Sequence, residues 1–207
     1  NKFFLFYLIQ LQLLTFFLFH EPILPFSCNV QPQKLDYNLF LLQTLINNRE
    51  SERYNLNTPS LENKIVELDS NGWEIGVHGS FHSYRDYNML KNEKKSLEEI
   101  LGHKVLGIRQ HYLNLSMPDT WKLQSKCGFA YDSSFGLNKK AGFKDGVYYP
   151  FNPIKSDFAV VPLTIMDTSL FYHYSKDEIW DSCLEIIKES VVNRAVLNIN
   201  WHQVFRN

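Results

Sequence analysis

Two histidines, His78 and His82, are four positions apart in His78-Gly79-Ser80-Phe81-His82, directly after the apolar run Trp73–Val77. On a helical turn, positions i and i+4 share a face, so both imidazoles would reach one divalent metal ion. Gly79 and Ser80 suit a tight turn between a strand and such a helix. The alternative is a pair of solvated histidines, and the spacing by itself does not separate the two. Position at the end of a strand favours the metal. Arg109-Gln110-His111 follows a second apolar run, Val105–Ile108, and Trp201-His202 closes a third, Ala195–Trp201. Arg109 is either an exposed ion-pair partner of little worth or a fork that holds a carboxylate in place. His202 is either a half-buried histidine ending a core strand or a proton donor to a leaving group. Three apolar runs that each end in an ionisable residue are expected to open on one mouth. Zinc suits histidine and carboxylate ligands with one position left for water, whose pKa it lowers to about 7.

The elements that must position these residues alternate. Ser60 is expected to cap a helix carrying Leu61, Ile65, Val66 and Leu68, which Asn71-Gly72 stops. Asp86–Leu101 reads as an amphipathic helix with Leu90, Leu97, Ile100 and Leu101 inward, ended by Gly102. Pro118–Cys127 is a helix stopped by Gly128, and Phe129–Tyr131 is again extended. Phe158–Met166 reads as one strand. Ser175-Lys176-Asp177-Glu178 is a capping box that opens a helix through Val191. Strands alternating with helices imply βα units and a parallel sheet, closed or partly closed, with chemistry at the C-terminal strand ends.

Composition bounds the function classes. The chain has 207 residues, 44% hydrophobic and 21% charged, enough for one core. A net charge of −1 gives no basic field, so no nucleic-acid partner is expected. Cys28, Cys127 and Cys183 form neither a CxxC pair nor a disulfide framework, and read as small apolar residues. Phe3–Phe19 is almost wholly apolar and marginal in length for a membrane span. It reads as a signal or anchor with membrane contact, as an altered start, or as a buried element; an anchor would imply an exported or cell-envelope protein, and its absence a cytoplasmic one. Residues 1–30 are therefore set apart from a domain over 31–207, and Phe3–Phe19 is expected to stay out of that domain's core. Asn1 at the start and the close of the chain soon after Trp201-His202 are expected to be cuts.

Taken in order, the motifs are similar to those of a known family. Gly76-Val77-His78-Gly79-Ser80-Phe81-His82-Ser83, Gly107-Ile108-Arg109-Gln110-His111-Tyr112 and Leu197 through Trp201-His202 resemble the polysaccharide deacetylases (NodB homology, carbohydrate esterase family 4-like). Tyr131-Asp132-Ser133-Ser134, Tyr149-Pro150-Phe151-Asn152-Pro153 and Val161 through Asp167 resemble its later segments. The resemblance implies an α/β fold, a distorted (β/α) barrel, and hydrolysis of N- or O-acetyl groups on a carbohydrate. It implies zinc held by His78 and His82, Arg109 orienting a catalytic aspartate, and His202 as general acid. It also implies that Leu197 lines the acetyl pocket. Tyr112, Tyr149 and Trp201 are candidate substrate contacts, and Phe151 could add a further ring face, each with core packing as the alternative. The family opens on a strand ending in two nearby aspartates, one the base and one the third ligand. Here no such pair precedes His78, and Asp36 is the one aspartate before Asp69. Asp36 is therefore the candidate for that role. The rival expectations are an inactive barrel that binds carbohydrate or metal, and an anchored cell-envelope protein acting in assembly.

Overall fold

The computed structural model describes residues 58–202 and, as backbone, the strands β1 (Leu14–Leu18) and β2 (Asp36–Leu42). It is a mixed α/β chain. In order follow α1 (Pro59–Ser70), β3 (Glu74–Gly79), α2 (Tyr87–Leu101), β4 (Gly107–Gln110), α3 (Asp119–Lys126), β5 (Tyr131–Asp132), β6 (Ala159–Val160), β7 (Ile165–Met166), α4 (Asp167–His173), α5 (Lys176–Asn193) and β8 (Leu197–Trp201). The chain divides into two compact units. The first comprises Asn1–Leu39, Gly136–Tyr149 and Pro162–Asn207; the second comprises Phe40–Phe135 and Pro150–Val161. Among the described residues no helix is long and apolar enough to cross a membrane.

In the second unit β3, β4, β5 and β6 pair in parallel, each with the next. The expected alternation of strand and helix is present, and α1 and α2 pack on β3 and on each other. Thr58, not Ser60, is the N-cap of α1, because Pro59 takes the first helical position, where its missing N–H costs nothing. Asp86 caps α2 by accepting from Asn88 N at 2.9 Å and Met89 N at 3.0 Å. Gly102 ends it at φ +74°, a left-handed value that glycine adopts at little cost. The buried stripe of α2 is Leu90, Glu93, Lys94 and Leu97. Ile100 and Leu101, expected inward, are only half-buried, and two ionisable residues stand in the stripe. Lys94 reaches Val105 O and Glu98, both at 2.6 Å, which satisfies its ammonium group.

In the first unit β8 pairs in parallel with β7 and antiparallel with β1, and β1 pairs antiparallel with β2. Part of the N-terminal apolar segment, set apart in the sequence reading, is thus a strand register-matched to Leu197–Trp201. The run Phe158–Met166 forms two strands rather than one: Ala159–Val160 pairs with β5, and Ile165–Met166 with β8. Pro162 lies between them and lacks the N–H that a continuous ladder would need. The Ser175 capping box forms as expected, with Ser175 N donating to Glu178 at 2.7 Å. Behind β7 and β8, Ile165, Leu170, Cys183, Ile186 and Leu197 form the apolar core of this unit.

Leu90 is fully buried between α2 and its neighbours. Leu90→Ala is expected to destabilise the chain by about 2–5 kcal/mol, through lost burial and the cavity left behind. Urea unfolding of the two proteins checks this. A loss below about 1 kcal/mol would place Leu90 outside a packed core.

Candidate functional site

β3 continues through His78 to Gly79, so His78 is a strand residue opposite Arg109 in the β3–β4 ladder. His82 closes the turn that follows and leads into a 3₁₀ turn, Ser83–Arg85. The helical face assumed from the i,i+4 spacing is therefore replaced by a strand end and a turn. A chain of ring contacts nonetheless links the two histidines. His78 meets His111 edge-on at 5.2 Å, His111 lies 4.4 Å from Tyr112, Tyr112 is 5.6 Å from Phe81, and Phe81 is 4.9 Å from His82. Tyr112 is exposed and, like Leu113, adopts a positive φ, which strains a non-glycine backbone. Asn114 ties this loop to the histidine turn by donating to Phe81 O at 3.0 Å.

The turn is pinned from behind. Ser80 Oγ donates to Glu93 Oε1 at 2.5 Å, and Ser80 N points at both carboxylate oxygens at 3.4 Å. A Cβ on Gly79 would overlap Gln110 Oε1 and Ser83 Oγ, so only glycine allows this approach. Ser83 Oγ lies 2.9 Å from Ser80 O and 3.1 Å from Gln110 Oε1, two acceptors for one proton. With the Gln110 amide turned so that Nε2 donates to Ser83, both bonds form.

Arg109 and Asp132 lie in adjacent strands and are buried almost completely. Arg109 Nε donates to Ser133 O at 3.1 Å. Burial lowers the Arg109 pKa to about 10, with Tyr131 and Asp132 acting the other way, and the group stays charged at neutral pH. Asp132 accepts from Ser134 N at 2.9 Å, Ser134 Oγ at 2.6 Å and Gln124 Nε2 at 2.9 Å. Its pKa is nonetheless raised, because burial outweighs these bonds. Burial likewise pushes Glu93 up to about 7, against the bonds from Ser80 and Ser83, with the charge of Asp86 adding to the rise.

In the first unit the C-terminal ends of β7 and β8 carry a second pair. Asp167 follows Met166, which is in register with Asn200, and His202 follows Trp201. His202 Nδ1 is 2.6 Å from Asp167 Oδ1, His202 N donates to Asp167 Oδ2 at 2.5 Å, and Thr168 N donates to Oδ1 at 2.7 Å. The carboxylate is wholly buried and the imidazole about a quarter exposed. Asp167 thus holds the ring of His202 by its Nδ1 edge.

The other candidates are placed as follows. Leu197 belongs to the apolar core of the first unit. Trp201 is half-buried and meets Phe171 edge-on at 5.6 Å, and Tyr149 donates its hydroxyl to Asn193 O. Phe151 packs with Trp121 and Phe135 at 6.0 and 5.5 Å, a core contact. Asp36 is the first residue of β2, and its side chain lies outside the described part. Burial raises the thiols of Cys127 and Cys183, so neither is a ready nucleophile. Glu93 and Asp167 were not assigned roles from the sequence. A polar residue in the apolar stripe of α2, and an aspartate just past Phe158–Met166, were the available signals.

Could these residues hold a metal? His78 Nδ1 lies 3.0 Å from Arg109 O, so its N–H is given to a carbonyl, the orientation common in ligating histidines. His82 Nδ1 faces Arg85 Nη2 at 3.4 Å, a long contact that a metal on that nitrogen would displace. Among the described residues no group of three His, Cys, Asp or Glu side chains is placed to bind one ion.

No family model matches the sequence, and no characterised protein matches it. Among solved structures, a Mycobacterium smegmatis protein provisionally assigned as a polysaccharide deacetylase is similar at 18% identity and a TM-score of 0.46, over 69% of this chain and 52% of that one. The chain spans about half of that protein's length. A likeness of this degree bears on neither activity nor substrate.

The buried Glu93 yields a pH dependence. With its folded pKa at about 7 and an ordinary value of 4.5, the folded state binds the extra proton between these limits. Its contribution is therefore most favourable below about pH 4.5 and is lost as pH rises through 7. Relative to Glu93→Gln, the wild type is expected to lose on the order of 3 kcal/mol across that window. Urea unfolding of both proteins at several pH values measures this, and parallel curves would contradict it.

Proposed function

We propose that the chain is a metal-dependent hydrolase that removes N- or O-acetyl groups from a carbohydrate. The observation that supports this reading is the Asp167–His202 pair at two parallel strand ends, since His202 is the residue that the motif order assigns as general acid. Asp167 holds the imidazole through Nδ1, and Nε2 donates the proton that lets the amine or alcohol leave. His78 and His82 would hold the zinc, which when bound supplies a water acidic enough to attack an acetyl carbonyl at neutral pH. The carbonyl of Arg109 fixes the tautomer of His78. Asp36 is the residue assigned to the missing anionic ligand and base. Tyr112, exposed beside Phe81 and His111, offers a ring face to the sugar.

A second reading, a non-catalytic module that binds carbohydrate or metal, is favoured by the Arg85 guanidinium on the Nδ1 side of His82. A cation there opposes a metal ion.

Acetate release from acetylated chito-oligosaccharides, xylan and peptidoglycan fragments, with zinc or cobalt added, decides between them. The hydrolase reading expects turnover that falls by about 10²–10⁴-fold in His202→Ala and in Asp167→Asn. It also expects turnover to be lost in Asp36→Asn. Binding of these oligosaccharides with no acetate release from any of them would establish the module instead. Equal zinc content in the wild type and in His78→Ala/His82→Ala would remove the metal assignment.

A further inference from the structure

We propose that Glu93 is a positioning residue for the candidate metal centre: from α2 it holds the turn between His78 and His82 in one geometry. The inference rests on the reading of His78 and His82 as metal ligands.

The argument begins with cost. Glu93 is 2% exposed and occupies a core position of α2 that Leu90 and Leu97 flank at helical spacing. An apolar residue would fill that position without taking a carboxyl group out of water. No cation offsets the burial among the described residues. Lys94, the adjacent ammonium, turns to Glu98 and to the carbonyl of Val105. The partners of Glu93 are instead the hydroxyl and amide of Ser80, with Ser83 next to it.

Those partners are the middle of the turn. Ser80 lies two residues from each histidine, and each residue around it is held by a different group. Gly79 packs on Gln110, Phe81 O accepts from Asn114, and Ser83 Oγ reaches Ser80 O. Glu93 is the only one of these anchors that comes from the helix, and it takes two donors from one residue. Without it, the Ser80 amide and hydroxyl would need other partners and the turn could rotate about its ends. The separation of the two imidazoles would then vary, and two ligands that must be re-ordered on binding hold an ion less well. A plain staple between helix and loop would alter the unfolding midpoint and leave metal affinity alone.

The test is zinc affinity of the full chain, by competition with a chromophoric chelator, below every variant's unfolding midpoint. Wild type is expected to bind one zinc ion, and Glu93→Ala to bind it about 10–100-fold more weakly. Glu93→Gln keeps an acceptor for Ser80 and is expected to restore most of the affinity. Wild-type affinity in a folded Glu93→Ala overturns the positioning role. So does an equal loss in Glu93→Gln, which would trace the effect to charge. If Glu93→Ala does not fold, Ser80→Ala carries the test, with several-fold weaker binding expected and unchanged binding overturning the role. Absence of zinc binding by wild type, even with intact unfolding behaviour, overturns the ligand assignment itself and this inference with it.

Discussion

A guanidinium buried in the strands of the second unit is the demand around which its polar residues are arranged. Arg109 is 1% exposed, and a charge removed from water must be compensated by dipoles and counter-charge in fixed positions. Its Nε donates to Ser133 O, and the buried carboxyl of Asp132 acts on it from the next strand. Asp132 must in turn be held, and Ser134 and Gln124 supply three hydrogen bonds. Ser134 Oγ also accepts from Gln110 N at 2.8 Å, which fixes the strand end next to Arg109. The peptide carbonyl of the same arginine receives the His78 imidazole. Two-residue β5 is therefore enough of a strand to orient β4 and, through it, a histidine on β3.

The first unit satisfies the same requirement at smaller scale. Asp167 is fully buried, and its two oxygens are used by Thr168 N and by the ring and amide of His202. No long side chain is needed, because β7 and β8 run in parallel and end together. Around this pair the apolar cluster of Ile165, Leu170, Cys183, Ile186 and Leu197 supplies a rigid base.

Much of this was legible in the sequence, and the reasons differ by residue. Gly102 and the Ser175 capping box mark helix ends because their backbone chemistry is local. The end of Ala195–Trp201 was legible because the apolar run stops at a histidine, whereas β4 runs from Gly107 to Gln110, two residues past the expected end of Val105–Ile108, and carries Arg109 within the strand. Phe158–Met166 was misread because alternation carries no information about partners: the chain changes partner strand across Pro162 without changing its pattern. The His78–His82 spacing suited a helix equally well, and nothing in it says that β3 runs two residues further. Glu93 was overlooked because an amphipathic stripe is traced on its apolar members, and a carboxyl group within it looks like an interruption. Leu14–Leu18 has the composition of an apolar leader as much as of a strand, and only pairing distinguishes them.

The interleaving of the two units along the chain has a consequence for synthesis. The second unit ends at Val161, whereas the first takes β7 from Ile165–Met166 and is completed by β8 at Leu197–Trp201. A ribosome releases the chain from its N-terminus, so the buried arginine and its partners can assemble while the Asp167–His202 pair is still being made. Until β8 is made, β1 can pair with β2 on one edge but lacks its partner on the other. An unpaired strand edge in a nascent chain invites wrong pairing. Between residue 161 and residue 202 the chain thus carries an open edge on β1 that only its last strand covers.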